Sequence, residues 1–183
     1  MGPSADFSEK IARFEALVLP HLNAAYNVAR WMTRNSSDAE DVAQEAMLRA
    51  FRFFDNFRGD DGRVWLLTIV RNTYLTWIRR ESPQHNSLEF DELLHSDVES
   101  SLTPELEVVR QATAQQVRFA IENLPAEYRE VILLRELEQL SYKEIAAITE
   151  SPLGTVMSRL SRGRSMLRQS IGKQSRTEVK QNG

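Results

Sequence analysis

Apolar positions along this 183-residue chain recur at helical spacing, and no stretch sustains the period-two alternation of a half-buried strand. The pattern predicts an all-α protein. Residues 6–19 and 21–34 read as two amphipathic helices divided near Pro20. Ser37-Asp38-Ala39-Glu40 has the form of a capping box, in which the Ser hydroxyl and the Glu carboxylate satisfy free amides at a helix start. The helix it opens has Val42, Ala46, Ala50 and Phe54 as its buried stripe, flanked by Ala43, Met47 and Phe51. After a polar loop from Asp55 to Gly62, a further helix is expected to about Arg80, with Leu66, Leu67, Val70, Tyr74, Trp77 and Ile78 on one side.

Residues 81–87 and 96–101 are polar and turn-rich, which places a flexible linker over 81–103. Thr103 and Pro104 then suit the cap and first turn of a helix running to about Asn123, followed by one from Pro125 to about Leu137. Ser141-Tyr142-Lys143-Glu144 is a second capping box, opening a short helix to Ile148. The segment Thr149 to Gly154 breaks it, and a longer helix follows to about Ser170. Short helix, tight turn and longer basic helix are the ingredients of a helix-turn-helix. The expected organisation is two small helical domains, 1–80 and 104–172, joined by the linker and followed by a disordered tail over 173–183.

Composition narrows the chemistry. The absence of cysteine excludes a disulfide scaffold, a zinc finger and a thiol nucleophile. His21, His85 and His95 have no ligand spacing, so no metal and no cofactor are expected. Apolar runs such as Trp65 to Val70 fall far short of the roughly 18 residues of a membrane span, and no signal-peptide pattern opens the chain, so no membrane insertion is expected. The carboxylates mark helix caps and faces and form no acid/base or nucleophile constellation, so an enzyme is not expected.

A net charge of −3 and a pI near 5.7 would argue against nucleic acid as a partner. Position reverses that inference. Residues 81–109 carry 8 acidic and no basic side chains, whereas 151–183 carry 7 basic against the single acid Glu178. An acidic connector and a cationic end share one chain. Extended at about 3.3 Å per residue, the connector reaches roughly 70 Å, enough for two domains to touch duplex DNA about two turns apart.

Three faces carry candidate chemistry. At 100° per residue, Asp41, Gln44, Glu45, Leu48 and Arg52 share the outer side of their helix, where Leu48 among charges is either a partner contact or an ordinary surface leucine. On the next helix the arc opposite the apolar side holds Trp65, Thr68, Asn72, Thr76 and Arg79. Aromatic, amide, hydroxyl and guanidinium groups there suit single-stranded nucleic acid, by stacking on a base, reading its edge and holding phosphate. Packing of Trp65 against Phe57 and the preceding loop is the equal alternative. On the last helix Leu153, Val156, Leu160, Gly163, Leu167 and Ile171 form an inner stripe. Thr155, Ser158, Arg159 and Arg162 point outward as a major-groove reader would, with Lys143 placed for backbone phosphate.

The chain resembles the bacterial extracytoplasmic-function, or group IV, sigma factors. The resemblance rests on residues 38–45, 57–59, 65–73 and 124–129, and continues through 134–137, 141–147 and 154–156 to Arg162. It implies a cytoplasmic bacterial subunit, nucleoid-associated in the holoenzyme, that binds core RNA polymerase and directs initiation at its own promoters. The first domain would bind the β′ clamp helices through Asp41, Gln44, Glu45, Leu48 and Arg52. That domain would also melt the minus-ten element, with Phe57, Trp65, Arg71, Asn72, Thr76 and Arg79 as candidate single-strand contacts. The second domain would read the minus-thirty-five duplex near the β flap through Lys143, Thr155, Ser158, Arg159 and Arg162. An anti-sigma factor is a further implied partner. Met157 departs from the family, which often carries arginine there, and Met47 replaces a commonly aromatic residue. The alternative is a helix-turn-helix activator or repressor with an N-terminal effector or dimerisation domain. It would leave the Trp65 and Asn72 face and the surface around Leu48 unexplained.

Overall fold

A computed structural model describes residues 5–59, 61–81 and 114–181, with side chains for 7–59, 61–80 and 114–172. Every regular element among them is helical. In the first half α1 (Ala5–Leu17) passes through a 3-10 turn at Leu19–His21, which contains Pro20, into α2 (Leu22–Thr33). Then come α3 (Ser36–Phe53) and α4 (Gly62–Glu81). The second half comprises α5 (114–122), α6 (Ala126–Ile132) winding into a π turn at Leu133–Leu137, α7 (Tyr142–Thr149) and α8 (Leu153–Gln181). The expected linker beyond Glu81 and the helix start at Thr103 lie outside the described residues.

The start of α3 differs from expectation. Its N-cap is Asn35, extended at φ −141° and ψ 135°, whose Oδ1 accepts the Asp38 amide at 3.1 Å. Asn and Ser are comparable caps, so the earlier one takes the role and Ser37 falls inside the first turn. The capping box at Ser141 forms as expected. Its hydroxyl accepts the Glu144 amide at 3.3 Å, and the Glu144 carboxylate accepts the Ser141 amide. The last helix continues beyond Ser170, and its backbone stays helical to Gln181 through most of the stretch expected as a disordered tail. Gly172 costs a helix only about 1 kcal/mol, and no proline follows to stop it.

In the first half, α2, α3 and α4 pack on one another. Ala39, Ala43, Ala46 and Ala50 of α3 and Ala25 and Ala29 of α2 are buried, and side chains this small let the backbones approach closely. Asp61 caps α4, its Oδ1 accepting the Val64 amide at 3.0 Å, and Leu66, Leu67 and Val70 are fully buried behind it. The second half folds α6 and α7 against α8, with Val156 and Leu160 inside.

The two halves also dock on each other. Helix α4 packs against α7, α2 meets the π turn, and the buried apolar residues of both halves form one contiguous cluster. Arg129, itself buried, donates to the Glu122 carbonyl at 2.9 Å and to the Tyr74 hydroxyl of α4. Burial raises the Tyr74 phenol above its ordinary value and lowers the Arg129 guanidinium below its own.

Gly62 shows how tightly α4 is seated, since a Cβ there would lie 1.9 Å from the Leu17 carbonyl oxygen. Alanine favours a helix by about 1 kcal/mol over glycine, yet this backbone clash cannot be relieved by a rotamer. Gly62→Ala is therefore expected to lower stability by about 2–3 kcal/mol in urea unfolding, and an unchanged or raised midpoint would contradict this packing.

Candidate nucleic-acid and partner-binding surfaces

Helix α4 divides its side chains between opposite sides. Asn72 and Arg79 are exposed, and Thr76 and Thr68 half-exposed, on the arc facing away from Leu66, Leu67 and Val70. The Thr76 hydroxyl donates to the Asn72 carbonyl at 2.8 Å and the Thr68 hydroxyl to that of Val64 at 2.8 Å. Each hydroxyl oxygen keeps acceptor capacity.

Trp65 stands at the edge of this arc, half-buried, with its ring centroid 4.8 Å from that of Phe57 and 6.1 Å from that of Phe54. The packing alternative thus describes its resting contacts. Phe57 is buried beneath it, stacked 5.8 Å from Phe54, and supports the indole from inside. Arg71 is turned away from the arc. Its Nε donates to the Glu130 carboxylate at 2.5 Å, across the boundary between the halves, and its side chain is only 16% exposed.

On α3, Asp41, Gln44, Glu45, Leu48 and Arg52 are all exposed, Leu48 at 64%. Gln44 and Leu48 border an open groove of about 660 Å³, floored by Phe14, Ala43, Met47 and Phe51 and walled by Leu22 and Tyr26. Sequence reading found the α3 side of this groove and missed the α2 side. An exposed leucine at the head of α2, Leu22 at 44%, was the available signal. Met47 is half-buried between stripe and groove, where its flexible thioether fits either setting.

In the second half Ser158 and Arg162 of α8 and Lys143 of α7 are exposed, and Thr155 is half-buried beside them. The Ser158 hydroxyl donates to the Thr155 carbonyl at 3.0 Å. Arg159 leans to one flank, donating to the Ser151 hydroxyl at 3.3 Å and lying 3.7 Å from Glu127. The other flank holds Met157, 52% exposed, in a shallow recess of about 340 Å³ with Tyr142, Ser161, Arg164 and Arg168. Hydrogen bonds to Glu136 and then Tyr142 raise the Arg164 pKa, so its charge is firmly held. The turn before α8 reverses at Glu150, a left-handed residue at φ 49°.

Among the described residues no cluster of His, Asp or Glu could hold a metal ion, and no helix is long and apolar enough to cross a membrane.

Residues 17–84 match the family described as Sigma-70 region 2, and residues 114–167 match Sigma-70, region 4. The ECF RNA polymerase sigma-E factor of Haemophilus influenzae is 38% identical over 167 residues, covering 86% of this chain and 87% of that protein. The chain belongs to the extracytoplasmic-function sigma factors. The RNA polymerase sigma-H factor of Pseudomonas aeruginosa is 35% identical over 164 residues, 84% of this chain and 83% of its own. A solved structure, the sigma factor RpoE in complex with the anti-sigma factor NepR from Bartonella quintana, matches with a TM-score of 0.69 at 26% identity. That match covers 91% of this chain and 97% of the other. CnrH, solved with the cytosolic domain of CnrY, shares the fold at a TM-score of 0.57 and 24% identity. This sigma factor binds core RNA polymerase and directs promoter-specific initiation, and a region 2 domain stands where the activator or repressor alternative needs an effector domain.

Because Trp65 spans core and surface, Trp65→Ala is expected to cost about 2–3 kcal/mol of stability in denaturant unfolding, somewhat less than a fully buried tryptophan. No loss of stability would mean that the Phe57 and Phe54 contacts contribute nothing.

Proposed function

We propose that the three exposed faces divide the work of initiation. The groove edge formed by Asp41, Gln44, Glu45, Leu48 and Arg52 receives the β′ clamp helices of core polymerase. Trp65, Asn72, Thr76 and Arg79, with Phe57 beneath and Arg71 recruited, hold the extruded bases of the minus-ten strand. Lys143, Thr155, Ser158, Arg159 and Arg162 read the minus-thirty-five duplex, near the β flap. The observation that carries this reading is the pairing of an open apolar groove on α3 with a polar arc on α4 in one small domain. A duplex-binding regulator has no use for that pair.

The energetic role is capture. Opening a duplex costs a few kcal/mol per unstacked base, and a surface offering an amide, hydroxyls, a guanidinium and an indole edge offsets it by binding what is extruded. Polymerase holds both domains at promoter spacing, so each contact raises the effective concentration of the other. The acidic block at 81–109 avoids DNA and suits a cationic channel of the polymerase. An anti-sigma factor is the natural antagonist, a reading supported by the likeness to a sigma factor solved with NepR. The protein works in the bacterial cytoplasm, on the nucleoid when in holoenzyme.

Purified core polymerase with this chain and no other sigma factor is expected to initiate at cognate promoters, and failure at every one tried would overturn the reading. Asn72→Ala should leave polymerase affinity within about twofold while permanganate reactivity of the melted thymines falls. Leu48→Asp should show the reverse, losing about tenfold or more in polymerase affinity. If either variant shows the other's phenotype, the faces are misassigned.

A further inference from the structure

On the outer side of α8 the side chains are small where the helix would meet a duplex. Gly154, Ser158 and Ser161 are all exposed there, and a Cβ added to Gly154 would meet nothing within 4 Å. An α-helix with its side chains is about 10–12 Å across and the major groove about 12 Å wide, so short side chains let the helix sink to the depth of the base edges. One long apolar side chain stands beside this lane. Met157 is 52% exposed, more than Leu153 at 42% or Met166 at 38% on the same helix. It follows Gly154 by three residues and precedes Ser161 by four, which sets it about 60° and about 40° from them around the axis.

An exposed methionine by itself is ordinary, and its surroundings give this one a role. Over the first two turns of α8, residues 153–160, the one charged group is Arg159, which is tethered to Ser151 on the opposite flank. Arg164, in the recess that Met157 lines, gives Nε and Nη2 to the Glu136 carboxylate at 3.0 and 2.7 Å and is committed within the chain. The Met157 flank therefore offers a base pair a methyl and a thioether. Major-groove edges present hydrogen-bond donors and acceptors with one apolar exception, the C5-methyl of thymine. A flexible thioether can close on that methyl. We propose that Met157 is a specificity-determining residue, selecting thymine in the minus-thirty-five element by apolar contact with its C5-methyl. This role rests on the reading of α8 as the helix that enters that duplex. A polar edge facing Met157 would lose its water without gaining a hydrogen bond, so the contact selects against other bases as well as for thymine. Thr155 brings a second methyl to this face, half-buried, so the test substitutes Met157 itself.

Holoenzyme assembled from the full-length chain and core polymerase first selects from promoters randomised in the minus-thirty-five segment, which identifies the thymines it prefers. Each is then replaced in turn by deoxyuridine, which differs only in lacking the methyl. At one position the wild type is expected to lose about fourfold in promoter affinity, the worth of one buried methyl group. Met157→Leu, still apolar, should keep most of that discrimination. Met157→Gln, of similar length but polar, should bind thymine and deoxyuridine equally and relax selection at that position alone, with unchanged affinity for core polymerase in the absence of DNA. Three results would each overturn the role: no thymine whose methyl matters, the same methyl effect in Met157→Gln as in wild type, or a loss of polymerase affinity in Met157→Gln with no methyl effect. Selection of no base anywhere in the segment would overturn the reading of α8 on which the role rests.

Discussion

Burial of α4 is the constraint on which the rest of this structure depends. Leu66, Leu67 and Val70 are inaccessible because the helix is enclosed by α2 and α3 on one side and by α7 on the other. A helix covered on two sides has little surface left, and along its middle turns what remains is the arc with Asn72. That arc is rigid for the same reason. A base-capturing surface works by offering groups already in place, since ordering them at the moment of binding would consume the energy they provide. The aromatic group of Phe14, Phe54, Phe57 and Trp65 completes the seat at the head of the helix.

The same enclosure explains why a solvent-facing side chain and one bound within the chain sit a single residue apart. Asn72 is exposed while Arg71, one step back, is 16% exposed and paired with Glu130. A rotation of 100° per residue separates a side chain open to solvent from one already bound within the chain. The charge distribution fits this economy. Lys143 of α7 and Arg162 of α8 are exposed, the block at 81–109 is purely acidic, and Arg71 of α4 is paired with Glu130 inside the chain.

Much of this was legible in the sequence because the signals are local. The capping box at Ser141 and the break before Leu153 depend on residues within a few turns and both formed; of the expected inner stripe Val156, Leu160 and Gly163 are buried and Leu167 and Ile171 half-buried, whereas Leu153 at its head is 42% exposed. The exposed set around Leu48 followed from helical projection alone. At the head of α3 the capping-box form of Ser37 to Glu40 pointed to Ser37, and the cap is Asn35, two residues earlier. Trp65 had a polar arc on one side and Phe57 on the other, and only tertiary packing settled where its ring rests. The Arg71–Glu130 and Arg63–Glu138 pairs join residues 59 and 75 positions apart, through a surface that exists only once both halves are folded. The α2 wall of the groove was missed for a similar reason, since Leu22 gains meaning only beside Met47 and Leu48.

The central claim is that α4 is shared between the two halves before polymerase is met. Small-angle X-ray scattering of the free, full-length chain tests it most directly. Docked halves predict a single-bodied profile with a radius of gyration near the value of about 16 Å for a folded chain of this size, raised somewhat by the long α8. A two-lobed profile with a clearly larger radius, unchanged when Glu130 and Glu138 lose their charge, would contradict it.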